Sequence, residues 1–485
     1  MKTQLSRTLA TFLIILFSQA PVWATCGGGG GGGTGGVAGG NSGSGPSPTV
    51  YNVPWRVWSA KTVPAKGLVL YWFPLTNDEL QKSSLRASRI LALYSAQCIS
   101  MEVGDYRVPE LQKVLGEAKP PVAVLAHPDG SPIVKVEGTS GKLKVDQVEK
   151  ALDSEMKQRE NALDEKLKSG KEKAKAGDSA AAVALLKPVA AECLFPKKAK
   201  EAAKELKKLG VEEIGNMPSA PVFDARESAR IEEVMRSGLR AEIAERYITA
   251  EKLYTRAHQM DPADPTPLRY LGELYRHHIG DWTKARMTFE TILSMPADPI
   301  ARAVALHGLG KMTIHEGEFK KGLGLMERSV AEFPLALAYR NLAVYWNSEG
   351  DLEQGNAYTQ QALALDPKDP YNLVFAAVFM AASGHGDEAL KIAQANRNLL
   401  PASYNLAAVY AQTGHRREAL ALLKRHFFQY ERYQAVRAKE MMEARVDAVF
   451  DSLRADSAFL ALTNGADGRL QMPMKDMKGN QNREQ

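Results

Sequence analysis

Residues 336–367 read ALAYRNLAVYWNSEGDLEQGNAYTQQALALDP and contain one complete unit of a repeat that continues on both sides. The apolar-small pair Leu342-Ala343 precedes a turn glycine, Gly350. A second small residue, Gly355, follows the turn, and a proline closes the unit. Small side chains allow two helices to approach closely, glycine accepts the left-handed conformation that ends a helix, and proline cannot continue one. The stretch therefore predicts a pair of packed antiparallel helices.

The same features recur through residues 231–430. The turn glycines are spaced by 30 to 37 residues: Gly280, Gly317, Gly350, Gly384 and Gly414. A small residue follows each turn: Ala285, Gly322, Gly355, Ala389 and Ala419. A period near 34 with these residues resembles the tetratricopeptide repeat. We count six units, of which the first, at 231–264, is degenerate.

The tetratricopeptide resemblance implies a superhelix whose groove, lined by the first helix of each pair, binds a protein or peptide rather than catalysing a reaction. Carrying the family's groove positions onto this chain gives ten candidates: Arg269, Glu273, Arg276, His307, Lys311, Arg340, Val344, Asn347, Tyr371 and Tyr404. The set is mildly basic with two aromatic residues, so we expect an acidic or carboxylate-bearing peptide. The alternative is that these residues are only solvated and that the contact lies on an edge or a cap.

Upstream of the repeats, short apolar runs alternate with helical segments. The sequence predicts strands at 68–73, 99–103, 122–126 and 133–136. Helices are expected at 77–94 and 109–115 and from Asp146 onward. Between the last two strands, Pro128-Asp129-Gly130 favours a tight turn, because proline presets the first angle and glycine accepts the last.

This order of elements resembles the thioredoxin-like fold over residues 51–157. Pro121 stands immediately before the third strand, where thioredoxins carry a cis-proline. The family's CxxC motif would fall in Phe73-Pro74-Leu75-Thr76-Asn77-Asp78-Glu79-Leu80, which holds no sulfur, so dithiol exchange lacks its nucleophile. We therefore expect a redox-inactive domain. The alternative is a generic small α/β domain.

The remaining segments complete a multidomain chain, an α/β domain followed by an all-α tetratricopeptide solenoid. Residues 158–212 are dense in Lys, Glu and Ala, which predicts a charged helical spacer with one hairpin resembling a tetratricopeptide unit. A linker is expected at 213–226, and the array at 227–430. Residues 431–465 form an amphipathic segment expected to cap the array, and the polar tail at 466–485 is expected to be disordered.

The N-terminus has the pattern of a signal peptide over residues 1–24. Basic residues precede the apolar run at 9–17, and Val22 and Ala24 are small residues at the positions that signal peptidase reads. We expect export to the periplasm or cell envelope, or secretion, with no transmembrane segment after cleavage. Residues 25–50 form a Gly-rich flexible linker. Cys26 in this linker leaves lipid anchoring open, although Thr25 before it fits a lipoprotein signal poorly.

Composition excludes several classes of protein. The 485 residues carry 62 basic and 56 acidic side chains, a net charge of +6 that is too weak to argue for nucleic-acid binding. Three cysteines without CxxC exclude zinc ribbons, c-type haem attachment and dithiol redox motifs. His277 and His278 are adjacent and diverge on a helix, and His385 and His415 are expected to be exposed, so we expect no metal site. No cofactor is predicted.

The leading hypothesis is an exported, non-catalytic interaction scaffold. Cys98, at the start of a predicted strand, and Cys193, in a predicted helix, are either buried free thiols or a disulfide pair. The alternative function is a thiol-dependent oxidoreductase or folding factor that uses Cys98. A third hypothesis, which depends on Cys26, is a lipid-anchored assembly factor.

Overall fold

The computed structural model describes residues 49–60, 67–139, 141–211, 225–400, 403–430 and 434–465. The predicted signal peptide, the polar tail and most of both predicted linkers lie outside these ranges. Across the described residues the chain is mostly helical and carries one small sheet toward its N-terminal end. None of the described helices is both long and apolar enough to cross a bilayer.

The sheet has five strands in the order β1-β3-β2-β4-β5. They are β1 (Arg56–Val57), β2 (Leu68–Phe73), β3 (Ile99–Val103), β4 (Val122–Ala126) and β5 (Pro132–Glu137). β1 and β2 run parallel to β3, whereas β4 is antiparallel to both β2 and β5. The four predicted strands are confirmed. β1 was not predicted, because its two residues are exposed and carry no apolar pattern. The peptide bond between Pro120 and Pro121 is cis.

Short helices connect the strands: α1 (Asn77–Lys82), α2 (Arg89–Ser95) and α3 (Gln112–Leu115), the last preceded by the 3-10 turn Pro109–Leu111. The prediction of one helix over 77–94 is wrong. The Ser83 and Ser88 hydroxyls accept hydrogen bonds from the amides of Leu85 and Leu91. Serine side chains that bond the backbone in this way compete with helix continuation, so the segment breaks between α1 and α2.

Three helices follow the sheet: α4 (Val145–Lys175), α5 (Ser179–Ala190) and α6 (Pro196–Lys208). They include the segment predicted as a charged spacer, 158–212, although α4 begins before it. Their inward faces share a small apolar cluster that includes Leu167, Leu186 and Leu206. Gly177, between α4 and α5, has a φ of 80°. Cys193 lies in the loop between α5 and α6, so its prediction as a helical residue is wrong. The loop follows because the chain must reverse before Pro196 opens α6.

Six antiparallel helical hairpins make up residues 228–430, as the repeat predicts. Their first helices are α7 (Ser228–Ile243), α9 (Thr266–Leu274), α11 (Pro299–His315), α13 (Ala336–Ser348), α15 (Pro370–Ala382) and α17 (Tyr404–Gln412). Their second helices are α8 (Tyr247–Met260), α10 (Trp282–Ser294), α12 (Phe319–Glu332), α14 (Leu352–Leu365), α16 (Gly386–Asn396) and α18 (Arg416–Arg425).

The turn glycines and small residues behave as the sequence predicts. All five turn glycines have φ between 76° and 95°, in the left-handed region. At Gly317 the amide bonds the carbonyl of Ile314, and the next amide bonds that of Thr313, a pairing that closes the end of the first helix. A Cβ added at Gly322 would lie 2.6 Å from the Gly310 carbonyl oxygen. The two helices of this hairpin therefore touch through backbone.

After α18, a π turn spans His426–Tyr430, and the capping segment consists of α19 (Gln434–Val446), the 3-10 helix Ala448–Leu453 and α20 (Ser457–Thr463). The sequence indicated one longer amphipathic segment. It is divided because the carboxylates of Asp447 and Asp456 accept hydrogen bonds from amides at the start of the next helix. Phe450 and Phe459 are fully buried, so the segment covers apolar surface at the end of the array.

A buried guanidinium joins the sheet region to the array. Arg89 of α2 bonds Asp261 and Asp264, both in the loop between α8 and α9, and its Nε lies 3.0 Å from Asp264 Oδ2. Its Nη1 donates to the Ser228 hydroxyl at 2.7 Å, and the Tyr51 hydroxyl donates to Asp264 at 2.6 Å. Around these groups a single apolar cluster continues from the sheet into the first hairpins.

Candidate functional site

The ten predicted groove residues, which we call the groove row, lie on or directly after the first helices of five successive hairpins. Among these helices, α9 contacts α11, and α15 contacts both α13 and α17. Six of the ten residues are buried: Arg269, Glu273, Arg276, His307, Lys311 and Arg340. The other four are half-buried: Val344, Asn347, Tyr371 and Tyr404. Most charges of the row are therefore turned toward partners within the protein.

The most enclosed part of the row centres on Glu273, which is fully buried. Arg276 donates to Glu273 from Nη2 at 2.7 Å, and His277 Nε2 lies 3.4 Å from the same carboxylate oxygen. Burial alone would raise the pKa of Glu273, but the charge of Arg276 and the bond from His277 lower it to about 2. The carboxylate is therefore ionised and paired at neutral pH.

A π turn over Tyr275–Ile279 brings these groups together. It joins the end of α9 to Gly280, whose φ is 76°. The widened turn places Arg276 and His277 side by side against Glu273, and the Trp282 indole donates to the Arg276 carbonyl at 3.3 Å. Such turns are uncommon and frequently occur at functional sites. The sequence did not predict it, although the spacing of Glu273, Arg276 and His277 does indicate neighbours on one helical face.

The next members of the row bond residues one repeat later. His307 Nε2 lies 2.7 Å from Asn341 Nδ2, and Lys311 donates to the Tyr345 hydroxyl at 2.9 Å. Both separations are 34 residues. Burial and then the charge of Arg276 lower the pKa of His307 to about 3, so its ring is neutral at physiological pH. Asn341 and Tyr345 were missed as site residues, yet the repeat period itself was the signal that could have found them.

Arg340 occupies the middle of the row. Its Nη1 lies 2.5 Å from Asn372 Oδ1 and 3.4 Å from Asp369 Oδ1. The guanidinium also stands over the rings of Tyr371 and Phe375, at 5.5 and 5.6 Å from their centroids. These contacts fix the orientation of the buried guanidinium, whose charge is paired with Asp369, beside the half-buried Tyr371.

The N-terminal end of the row is covered by the protein's own backbone. Arg269 Nη2 and the Tyr270 hydroxyl both donate to the Val50 carbonyl oxygen, at 3.3 and 3.2 Å. Arg269 also stands 5.0 Å from the centroid of the Tyr270 ring. A peptide carbonyl from within the chain thus accepts hydrogen bonds from both Arg269 and Tyr270.

The C-terminal end of the row is covered by the capping segment. The Tyr404 hydroxyl donates to Asp447 at 3.2 Å, and the Tyr404 ring packs edge-on against Phe450 at 5.1 Å. Farther back along the array, His315 of α11 lies 3.9 Å from Glu443 of α19. The capping segment therefore extends from the last hairpin back to the third, past the fourth and fifth hairpins, whose row residues Val344, Asn347 and Tyr371 stay half-buried.

The histidines do not assemble a metal site. Within the described ranges no three His, Cys, Asp or Glu side chains converge as metal ligands. The His277 and His278 rings are 6.2 Å apart and tilted relative to each other. His385 is exposed, but the expectation of exposure is wrong for His415. That side chain is half-buried because its Nδ1 bonds the Thr413 carbonyl at 2.9 Å.

Comparisons with known proteins add little to this geometry. No family model matches the chain, and no curated protein matches it. A solved tetratricopeptide protein from Thermus thermophilus, TTC0263, is 22% identical, with a TM-score of 0.31 over 40% of this chain and 99% of that one. The structure of MamA is 20% identical, with a TM-score of 0.25 over 32% of this chain and 89% of that one. These TM-scores are too low to support a conclusion about this chain.

Proposed function

We propose that the protein is an exported, non-catalytic scaffold that holds a partner protein or peptide against the middle of the groove row. The observation that carries this proposal is that other parts of the chain cover the two ends of the row. Arg269 at one end is bonded to the chain's own Val50, and Tyr404 at the other is bonded to Asp447. Between them, Val344, Asn347 and Tyr371 keep part of their surface accessible to solvent.

The chemistry of this middle section favours an acidic segment. Arg340, whose guanidinium is bonded to Asn372 and paired with Asp369, places a positive charge next to Tyr371, which offers an aromatic face with a polar tip. Aromatic and arginine side chains that are already ordered lose little freedom on binding, and they are the residues that most often dominate interface energies. An aspartate or glutamate side chain, or a terminal carboxylate, fits this pair.

For the sheet region we propose a redox-inactive thioredoxin-like domain. The support is the start of α1, where the family would place its cysteines. Here the Thr76 hydroxyl accepts from the Glu79 amide at 3.1 Å, and a Glu79 carboxylate oxygen accepts from the Leu75 amide at 2.8 Å. This reciprocal capping satisfies the helix start with oxygen side chains. A negative charge there disfavours any thiolate.

The proposal of export rests on the sequence of residues 1–24 alone. Its test is the mature N-terminus of the protein recovered from the cell envelope. We expect the chain to begin at Thr25 after cleavage behind Ala24. Lipid labelling that disappears in Cys26→Ala would instead place the protein among lipid-anchored assembly factors, and an uncleaved chain in the cytoplasm would contradict export.

Photo-crosslinking in the producing cell tests the scaffold function. A photo-crosslinking residue is placed at Asn347 or at Tyr371, and as a control at Met287 of α10, whose side chain is 63% exposed. We expect one recurrent partner from both groove positions and none from Met287. Charge reversal at the buried Arg276 is unsuitable, because it would place two carboxylates together and unfold the site.

A second variant distinguishes specific binding from chance proximity. With the crosslinker at Tyr371, Asn347→Glu adds a negative charge to the accessible part of the row and should reduce capture at least several-fold. Met287→Glu adds the same charge elsewhere and should leave capture unchanged. Equal capture from Met287, or capture from Tyr371 that survives Asn347→Glu, would contradict the proposal.

A further inference from the structure

Two cysteines that are distant in sequence meet in the structure. Cys98 stands immediately before β3, and Cys193 lies in the loop between α5 and α6. The two side chains lie close enough to interact with each other, and both pack on the apolar cluster shared by the sheet and the array. Both residues are half-buried and present as free thiols. A small oxidant can therefore reach a pair of sulfurs that the fold has already brought together.

The backbone at Cys98 is unusual. Its φ is 60°, and among the described non-glycine residues only Glu245 shares a positive φ. The position ends the turn after α2, where glycine is the unstrained residue. Its surroundings hold it there, since a Cβ added at Gly67 would lie 2.1 Å from the Cys98 carbonyl oxygen and 2.8 Å from its Cβ. A side chain is thus fixed at a strained position, facing a second cysteine.

We propose that Cys98 and Cys193 form a reversible disulfide that ties the sheet to the loop between α5 and α6. The bond would fasten the charged spacer to the region that carries Arg89, and so to the array. This inference does not depend on the partner-binding function, and it assigns no catalytic role to either sulfur.

The oxidation is an ordinary exchange with a small-molecule disulfide such as oxidised glutathione. The Cys98 thiolate attacks one sulfur of the oxidant and releases one glutathione thiolate. The Cys193 thiolate then attacks the Cys98 Sγ in the mixed disulfide and releases the second. Two protein thiols become one disulfide, and one oxidised glutathione becomes two reduced ones. The neighbouring Cys98 thiol and burial raise the pKa of Cys193, and the same products form whichever of the two sulfurs attacks first.

The test uses the full chain carrying Cys26→Ser, so that Cys98 and Cys193 are the only thiols. The protein is equilibrated in glutathione buffers of graded ratio, quenched in acid, alkylated and weighed intact. We expect a monomer that has lost two hydrogen atoms and takes up no alkylating agent. Because the bond closes a loop of about 95 residues, the oxidised form should melt several degrees higher than the reduced form.

Two controls keep the result specific. In Cys98→Ser and Cys193→Ser versions of the same protein, oxidant should leave the melting temperature unchanged. In urea the native contact is lost, so the same buffer should produce at least ten-fold less of the disulfide relative to the dithiol. Two alkylatable thiols in excess oxidised glutathione, only mixed or intermolecular disulfides, or equal oxidation in urea would each overturn the proposal.

Discussion

At the scale of single residues, Phe289 shows how the array depends on the absence of side chains. Its ring lies between two glycines of neighbouring first helices, Gly272 of α9 and Gly308 of α11. A Cβ added at these positions would stand 2.3 and 2.4 Å from ring carbons. Phe289 is itself fully buried, so the ring has no free direction in which to move.

Gly308→Ala should therefore destabilise the protein by about 1–3 kcal/mol, the usual cost of overpacking a core. The matched control is Gly324→Ala in α12, where an added Cβ would meet nothing within 4 Å. In that control the better helix propensity of alanine should stabilise by about 0.5–1 kcal/mol. Urea unfolding measures the change in stability of both variants. Equal changes would show that the Phe289 ring moves aside for the added methyl group.

His277, which is half-buried, and His307, which is buried, should make stability depend on pH. Burial, followed by the charge of Arg276, lowers the pKa of His277 to about 4 and that of His307 to about 3, from an ordinary 6.5. Between these limits the unfolded chain binds more protons than the folded one. Stability is therefore complete above about pH 6.5 and decreases as the pH falls through this window, by up to about 1.4 kcal/mol per pH unit for each histidine.

The measurement is urea unfolding of the wild type and of His307→Gln between about pH 7 and about pH 5. His307→Gln keeps a hydrogen-bonding side chain for Asn341 and should make the free energy of unfolding depend less steeply on pH. His385→Gln replaces an exposed histidine and should leave the slope unchanged. A slope that His307→Gln does not alter would show that this ring is already solvated in the folded state.

At the scale of elements, the first hairpin departs from the others at its turn. Glu245 has a φ of 60°, where later hairpins carry glycine. Its amide bonds the Glu242 carbonyl, and the next amide bonds that of Ala241, the same closure seen at Gly317. The backbone motif is kept although the residue is unfavourable, which explains why the sequence of this unit looks degenerate.

Glu245→Gly should therefore stabilise the protein by about 0.5–1 kcal/mol, because it relieves a left-handed residue at the cost of extra freedom in the unfolded chain. Gly350→Ala is the reciprocal change, at a φ of 85°, and should destabilise by about 1 kcal/mol. Thermal unfolding of the two variants measures both. If Glu245→Gly lowers the melting temperature, contacts of the glutamate side chain outweigh the backbone strain.

The elements that the sequence predicts are those with local signals. β2 and β4 are continuous apolar runs, β3 alternates apolar and polar residues, and the turn glycines recur at similar intervals, so each could be found without knowing its neighbours. β1 could not, because Arg56 and Val57 become a strand only through pairing with Glu102 and Val103. The break between α1 and α2 depends on serine side chains that bond the backbone instead of solvent.

The groove row also combines features that the sequence predicts with features that depend on distant contacts. Its positions followed from the repeat, whereas its burial did not, because the partners come from other units and from both ends of the chain. Val50 covers Arg269 from more than 200 residues away in sequence, and Asp447 reaches Tyr404 across 43 residues. No pattern within one repeat encodes such contacts. The sequence therefore predicted the ten positions of the row but not that six of them would be buried.

At the scale of the whole molecule, two hydrophobic cores divide the array. The larger core continues from Val50 through the sheet to Ala338 of α13, and the second begins at Val374 of α15 and ends at Leu462. Between them, Leu342 belongs to a smaller cluster with Leu323 and Met326. The half-buried residues Val344 and Asn347 of the groove row therefore lie on α13, at the junction of the two cores.

The larger core depends on the anchor at Arg89. Its guanidinium is fully enclosed and neutralises Asp261 and Asp264 together, which joins α2 of the sheet region to the first two hairpins.

Arg89→Met should keep much of the packing volume but leave two carboxylates buried without a counter-charge, at a cost of about 3–5 kcal/mol. Adding Asp261→Asn and Asp264→Asn removes those charges and should restore most of the loss. Unfolding of the wild type, Arg89→Met and the triple variant measures this; a loss below about 1 kcal/mol in Arg89→Met, or no recovery in the triple variant, would show that apolar packing alone holds the two regions together.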